Sequence, residues 1–288
     1  MNPELEIIGY LGPEGTYSEH AALKFAEKYK ITKFKDFPTI PHVLQAVEHG
    51  EITLGIVPVE NSIEGTVNIT LDMLAHELSL RILGEIVIDI KHCLISKAKD
   101  LSKIHTIYSH PQALAQCRLF LQNHLTQACY LNCNSTAEAA LLVKEGQEGL
   151  AAICSVWAAE KYQVDIICEN ISDYSSNQTR FLVVGKNDFC SNKNRQKTSL
   201  CVALAKNRPG GLYDILAEFI PDQIDLSKIE SRPAKKELGE YIFFIDCLAD
   251  LEIEYKHVLN RLKQKCKLVK ILGTYNRIEV YNQQDGER

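Results

Sequence analysis

The chain lacks a basic excess, a long apolar run, any paired-cysteine motif and any familiar catalytic triad, and each absence removes a class of function. Its 288 residues carry 37 acidic and 32 basic side chains, a formal net charge of −5. That balance offers no basic surface to hold a phosphate backbone, so nucleic acid is not expected as a partner. No apolar stretch approaches bilayer length, and Met1-Asn-Pro-Glu-Leu-Glu6 is acidic where a secretory signal is basic, so no membrane contact and a cytoplasmic location are expected. The ten cysteines are scattered and never form Cys-x-x-Cys, which reads as reduced core thiols. Cys129 and Cys133 have no His or Cys partner at ligand spacing, and the nine histidines form no His-x-x-x-His, so no metal is expected. With no Ser-His-Asp order, close His-Cys pair or spaced twin carboxylates, chemistry would have to run on hydroxyls, amides and helix ends.

What the sequence does have is an α/β alternation at ordinary composition, 45% hydrophobic and 24% charged. Short apolar runs hand over to helical periods at 6–11 and 17–29, 54–59 and 66–74, 104–109 and 111–123, 129–132 and 135–144, and 150–155 and 156–162. A polar cluster sits at each strand-to-helix junction. In open α/β sheets such junctions lie where ligands bind, so the five clusters are expected to line one cleft. Residues 186–196 are polar and aperiodic, a linker. Beyond them strands at 198–205, 224–231, 240–247 and 268–272 alternate with helices at 211–220 and 253–266. This βαββαβ order suggests a ferredoxin-like sandwich, with a face or edge left for a second copy.

The segment Leu54-Gly-Ile-Val-Pro-Val-Glu-Asn-Ser-Ile-Glu-Gly-Thr66 runs from a buried strand into Glu60, Asn61, Ser62, Glu64 and Thr66, uncharged donors and acids crowded into one turn before a helix. Such a turn presents N–H and O–H groups to an anionic ligand. In Leu11-Gly-Pro-Glu-Gly-Thr-Tyr-Ser18, Thr16 and Ser18 either meet a ligand or cap the following helix. Ser109-His-Pro-Gln112 places proline at a first helical position with Ser109 set to cap, and leaves Gln112 without a structural reason. Asn134-Ser-Thr-Ala-Glu138 has the form of a capping box, which favours a structural role for Ser135 and Glu138, with the cleft still within reach of Glu138. Asp173 to Ser176 reads as a solvated turn. The following Thr179, Arg180 and Phe181 enter a strand, where Arg180 either pairs with a ligand carboxylate or makes an internal salt bridge to Glu60 or Asp173.

Taken together, Tyr10–Ser18, Val57–Thr66 with Leu71–Leu74, Tyr108–Arg118, Ser135–Ala140 and Asn177–Phe181 resemble the prephenate dehydratase family in five ordered motifs. The C-terminal part is similar to that family's ACT regulatory domain at Arg208–Leu212, Lys228–Pro233 and Gly239–Asp246. The resemblance implies two α/β lobes like those of type 2 periplasmic binding proteins, spanning 1–185 with the second lobe at about 85–165, then the linker and an ACT domain over 197–288. It implies decarboxylating dehydration of prephenate to phenylpyruvate in phenylalanine biosynthesis, without a cofactor. Thr179 would assist departure of the ring hydroxyl, with Asn61, Ser109, Gln112 and Glu138 as catalytic companions. Thr16, Ser18, Ser62, Arg180 and Phe181 would hold substrate, its carboxylates meeting helix N-termini after Gly15 and Ser62. Glu60 and Glu64 would brace the loop, because carboxylates facing a dianion repel it.

L-Phenylalanine would bind at an interface between ACT domains of a homodimer or homotetramer, through Pro209, Gly210, Gly211 and Leu212 and through Glu230, Ser231, Arg232 and Pro233. Gly211 stands where alanine is usual; the missing methyl would leave room for the ligand and loosen the loop. Two rivals stay open from sequence: an arogenate dehydratase, whose substrate carries an ammonium group in place of the keto group, and a non-catalytic anion and amino-acid sensor.

Overall fold

The computed structural model describes residues 6–186, 195–205, 208–234 and 240–279. Most of the expected linker, residues 187–194, lies outside them. No helix among the described residues is long and apolar enough to cross a membrane.

The first lobe contains β1 (Ile7–Leu11), α1 (Tyr17–Tyr29), β2 (Lys33–Phe37), α2 (Ile40–His49), β3 (Leu54–Asn61), the short β4 (Gly65–Thr66), α3 (Asn68–His76) and β5 (Arg81–Asp89). The chain then enters a second lobe of β6 (Cys93–Ser96), β7 (Thr106–Ser109), α4 (Pro111–Gln116), α5 (Arg118–His124), β8 (Cys129–Asn132), α6 (Thr136–Glu145), β9 (Leu150–Cys154), α7 (Val156–Tyr162) and β10 (Ile166–Cys168). It returns as β11 (Gln178–Gly185), which inserts between β3 and β5, antiparallel to both. The first sheet therefore runs β2-β1-β3-β11-β5 and the second β10-β6-β9-β7-β8. Residues 85–89, assigned from sequence to the second lobe, belong to the first sheet, and the second sheet extends to Cys168. The chain passes between the two sheets twice, after β5 and before β11.

Local chemistry explains the elements. Thr16 caps α1 by accepting from the Glu19 N–H, and Thr39 caps α2, whose second helical position is a proline and whose end is Gly50 in the left-handed region. β2 escapes sequence reading because Lys33-Phe-Lys-Asp-Phe37 is a charged edge strand with one buried side chain, the composition that discourages edge pairing. The helix expected over 111–123 breaks at Cys117. There Asp173 donates its N–H to the Gln116 carbonyl at 2.7 Å and accepts from the Leu119 N–H at 3.0 Å, capping α5. Asp173 is thus a helix cap, not a residue of a merely solvated turn.

The C-terminal unit follows as β12 (Lys197–Leu204), α8 (Gly211–Leu216), β13 (Leu226–Pro233), β14 (Tyr241–Cys247), α9 (Lys256–Lys265) and β15 (Cys266–Tyr275), antiparallel in the order β13-β14-β12-β15. This is the expected ferredoxin-like sandwich. Alternation along its strands sends Leu200, Val202 and Ile245 toward Ile215, Val258 and Leu262 under the two helices. On the other face Cys201, Ala203, Ile242, Phe244 and Leu272 join one apolar cluster with Val43, Leu44, Met73 and Leu74 of α2 and α3. The sheet face is therefore covered by the first lobe of the same chain, and β13 and β15 are the edge strands of this sheet among the described residues.

Two contacts tighten that docking. Lys270 of β15 donates to the carbonyls of Leu74, Ala75 and Leu78 at 2.7, 3.2 and 2.9 Å, closing the C-terminus of α3 with a cation. Gly273 lies so near β5 that a Cβ there would stand 2.1 Å from the Ile82 carbonyl oxygen. Backbone cannot swing away as a side chain can, so Gly273→Ala is expected to destabilise the fold by about 1–3 kcal/mol. Urea unfolding measures this, and an unchanged midpoint would show that the units are not held this closely.

Candidate active site

Register places the expected centre. β3 and β11 pair so that Thr179 lies opposite Asn61, and Asn61 Nδ2 donates to Thr179 Oγ1 at 2.9 Å. Because that oxygen accepts, its own proton points elsewhere, and among the described residues it finds no protein acceptor. Asn61 Oδ1 accepts the Ile63 and Glu64 N–H groups, both at 3.0 Å, an Asx turn that fixes the amide. Asn61 Nδ2 also donates to Asn177 Oδ1 at 2.7 Å.

Sequence reasoning missed the next three residues. Asn177 Nδ2 donates to Gln116 Oε1 at 3.0 Å, Gln116 Nε2 donates to Glu64 Oε1 at 2.9 Å, and His92 Nε2 stands 3.1 Å from Gln116 Oε1. Asn177, Gln116 and His92 are all buried. Burial pushes the His92 imidazole below the ordinary histidine range, against the opposing hydrogen bond that its Nε2 makes to Gln116 Oε1, so the ring is neutral near pH 7. Gln116 lies one helical turn beyond Gln112 on α4. The signal was the i, i+4 spacing in Pro111-Gln-Ala-Leu-Ala-Gln116, with only the inward glutamine reaching the first lobe. Gln112 itself is exposed.

Several expected ligand contacts are already filled by the chain. The fully buried Ser109 gives its hydroxyl to the Ile153 carbonyl at 2.7 Å, and the cap of α4 is His110, whose Nδ1 accepts from the Gln112 N–H. Ser135 accepts from the Glu138 N–H at 3.0 Å while Glu138 reaches back to the Asn134 N–H at 2.8 Å, so the capping box forms and occupies both. Thr16 is spent on its cap and on the Leu11 carbonyl, and Ser18 is buried. Ser62 is zipped to Gln178 by two hydrogen bonds of 2.9 Å. The N-terminus of α1 receives Glu19, which accepts from Gly15 N–H at 2.6 Å and also from Trp157 and Lys161 across the lobes. Near the start of α1 the Gly15 N–H is held by Glu19, and in the turn after Ser62 the Ile63 and Glu64 N–H groups are held by Asn61.

Phe181 is fully buried in the core of the first lobe and meets no cleft. Arg180 turns the other way. Its Nη1 contacts Asp246 of β14 at 2.6 Å and Glu85 of β5 at 3.3 Å, and its Nε lies 3.5 Å from Glu60, a charge contact too poorly aligned to be a hydrogen bond. Burial alone would lower its pKa; Asp246 and Glu85 outweigh that and raise it. The internal salt bridge is the correct alternative, with Glu60 one of its members and Asp173 not.

In the C-terminal unit, β13 alternates. Glu230 accepts from Thr66 at 2.5 Å, and Arg232 grips Asp72 with two bonds of 2.8 and 3.0 Å, so both face the first lobe. Ser231 and Pro233 are exposed on the opposite side. Pro209 and Gly210 are exposed and Leu212 half-buried beside them. The space left by the missing methyl at Gly211 is not open: a Cβ would stand 2.5 Å from Leu204 Cδ1, so Leu204 fills it.

The prephenate dehydratase family profile matches residues 8–189. A prephenate dehydratase of Methanocaldococcus jannaschii is 42% identical over 272 residues, covering 92% of this chain and 96% of its own. The crystal structure of the prephenate dehydratase of Arthrobacter aurescens in complex with L-Phe superposes with a TM-score of 0.85 at 33% identity, covering 94% of this chain and 90% of that one. A protein described as a novel type of quorum quenching acylase superposes at 0.82 with 26% identity, covering 95% and 98%. By the breadth of the profile and a relative alike over nearly its whole length, the chain belongs to the prephenate dehydratase family of carbon–oxygen lyases.

Proposed function

We propose that the protein converts prephenate to phenylpyruvate, carbon dioxide and water, with Thr179 assisting the leaving hydroxyl. In this reaction the bond from the ring to the carboxylate breaks and its electron pair enters the ring. The ring C–O bond breaks as the ring becomes aromatic, and the hydroxyl departs with one proton as water. Aromatisation supplies the driving force, so the protein needs to hold the dianion and stabilise charge developing on the departing oxygen. The observation that carries this reading is the Asn61 amide bonded to Thr179 Oγ1 at 2.9 Å, which leaves the hydroxyl proton to a ligand. A threonine hydroxyl is too weak an acid to give its proton up outright; it acts as an aimed hydrogen-bond donor, with the proton supplied ultimately by water. A fold shared with a protein described as an acylase means that residues, not architecture, support this proposal.

Feedback by L-phenylalanine belongs to the same proposal. It is supported by the L-Phe complex of the Arthrobacter aurescens relative, and the edge strand β13 is where a second copy would pair to make a homodimer or homotetramer. Glu230 and Arg232 already tie that strand to Thr66 and Asp72, so a ligand that shifts β13 shifts β4 beside Asn61. Parallel assays with prephenate and arogenate, each with and without L-phenylalanine, test the reading. Turnover of prephenate, slowed by phenylalanine, is expected; turnover of arogenate alone, or tight binding without turnover, would replace it.

A further inference from the structure

The turn between β1 and α1 is bound to the opposite lobe. Gly15 is buried with φ at +86°, and a Cβ there would stand 2.9 Å from Tyr162 Cε2 and 3.3 and 3.6 Å from the Cβ atoms of Ala137 and Ala158, all on α6 and α7. Tyr162 gives its hydroxyl to the Glu14 carbonyl at 2.7 Å. One turn into α1, the Glu19 carboxylate accepts the Gly15 N–H at 2.6 Å from its own lobe, and Trp157 Nε1 at 3.1 Å and Lys161 Nζ at 2.5 Å from the other. Glu19 is buried, so its carboxylate depends on these donors. Lys161 also meets Glu14 at 3.1 Å, and the half-buried Trp157 stacks on His20 with ring centroids 5.4 Å apart. Burial opposes the charge on Lys161, but its hydrogen bonds to Glu19 and Glu14 outweigh that, so the ammonium stays charged near pH 7.

The chain itself joins the lobes only after β5 and before β11, which leaves side-chain contacts to fix how far apart they stand. The site depends on that separation. Gln116 of the second lobe reaches Glu64 at 2.9 Å and Asn177 at 3.0 Å only where the lobes meet. We propose that Glu19, Trp157 and Lys161 form an interlobe latch, and that Glu19 and Lys161 are positioning residues for the reaction. They act by holding the lobes where Gln116 completes the site, not by touching the reacting atoms. The proposal rests on the reading of prephenate as substrate and adds to it what keeps the two halves of the site together. With the latch broken, part of the binding energy of the substrate goes into closing the cleft. A closed fraction of about a tenth raises KM about tenfold and leaves the saturated rate nearly unchanged.

Trp157 is the one tryptophan of the chain, so its fluorescence reports the latch without a label. In Lys161→Met the emission should move to the red and acrylamide quenching should rise, with KM for prephenate up about tenfold and kcat within about twofold of wild type. Lys161→Arg keeps the cation and should restore all four. Prephenate added to Lys161→Met in the slow Thr179→Val background should return the emission toward its wild-type position, which a merely loosened fold would not do. Melting curves check the fold. If the stranded Glu19 makes Lys161→Met unstable, Glu19→Gln combined with Lys161→Met removes that charge and carries the same test. Wild-type emission and quenching in the variant, or a fall in kcat at unchanged KM, would overturn the latch and leave the assigned reaction intact. A wild type that does not turn over prephenate would overturn that assignment and the positioning role with it.

Discussion

Thr179→Val is expected to lose about a hundred- to a thousandfold in kcat while keeping the fold, the magnitude usual for removing one hydrogen bond aimed at charge developing in a transition state. Valine matches threonine in shape and in β-branching, so strand β11 keeps its register with β3 and β5. What disappears is one oxygen. Asn61 Nδ2 retains Asn177 Oδ1 at 2.7 Å for one proton and the Gln178 carbonyl at 3.3 Å for the other, so stability should shift by little. Steady-state kinetics with a melting curve separate the two effects, and a large fall in melting temperature would reassign Thr179 to the core.

Arg180→Met should act in the opposite sense, on stability first. It would leave Glu85 and Asp246, each almost wholly buried, without the cation that joins them. Lys197 still reaches Glu85 at 2.9 Å and Ser199 still donates to Asp246 at 2.5 Å, but the hydroxyl cannot neutralise a carboxylate. Breaking a buried pair from one side costs about 3–5 kcal/mol. Adding Asp246→Asn to Arg180→Met should recover part of that loss, since the stranded charge goes with it. Chemical denaturation of the single and double variants tests this; strictly additive losses would show that the two side chains do not act on each other. Arg180 adjoins Thr179 in sequence yet faces the third sheet, so the same strand serves the cleft with one residue and the interdomain junction with the next.

That alternation marks where the sequence was legible and where it was not. The α/β alternation, the βαββαβ unit and a cap at Thr16 or Ser18 follow from periodicity and spacing, because those signals are local; the two-lobed plan is what the family resemblance implies. The pairing of Asn61 with Thr179 joins residues more than a hundred positions apart, and only the return of β11 between β3 and β5 brings them together. Residue type alone could not separate Gln112 from Gln116, since both lie on one side of α4 and the choice depends on which of its turns meets the first lobe. Ser109 and Phe181 misled for a common reason. A hydroxyl or ring beside a motif is as useful to the fold as to a ligand, and a buried carbonyl and a core had claimed them. The covered face of the third sheet was hidden for a different reason: an apolar strand face reads the same whether its partner is another copy or the same chain.

The most direct measurement compares wild type, Thr179→Ser and Thr179→Val on prephenate under single-turnover conditions, with phenylpyruvate formation as the readout. Serine keeps the hydroxyl that Asn61 orients, so Thr179→Ser should stay within about tenfold of wild type while Thr179→Val falls about a hundred- to a thousandfold. Equal rates in the serine and valine variants would contradict a hydrogen bond from residue 179 to the departing oxygen.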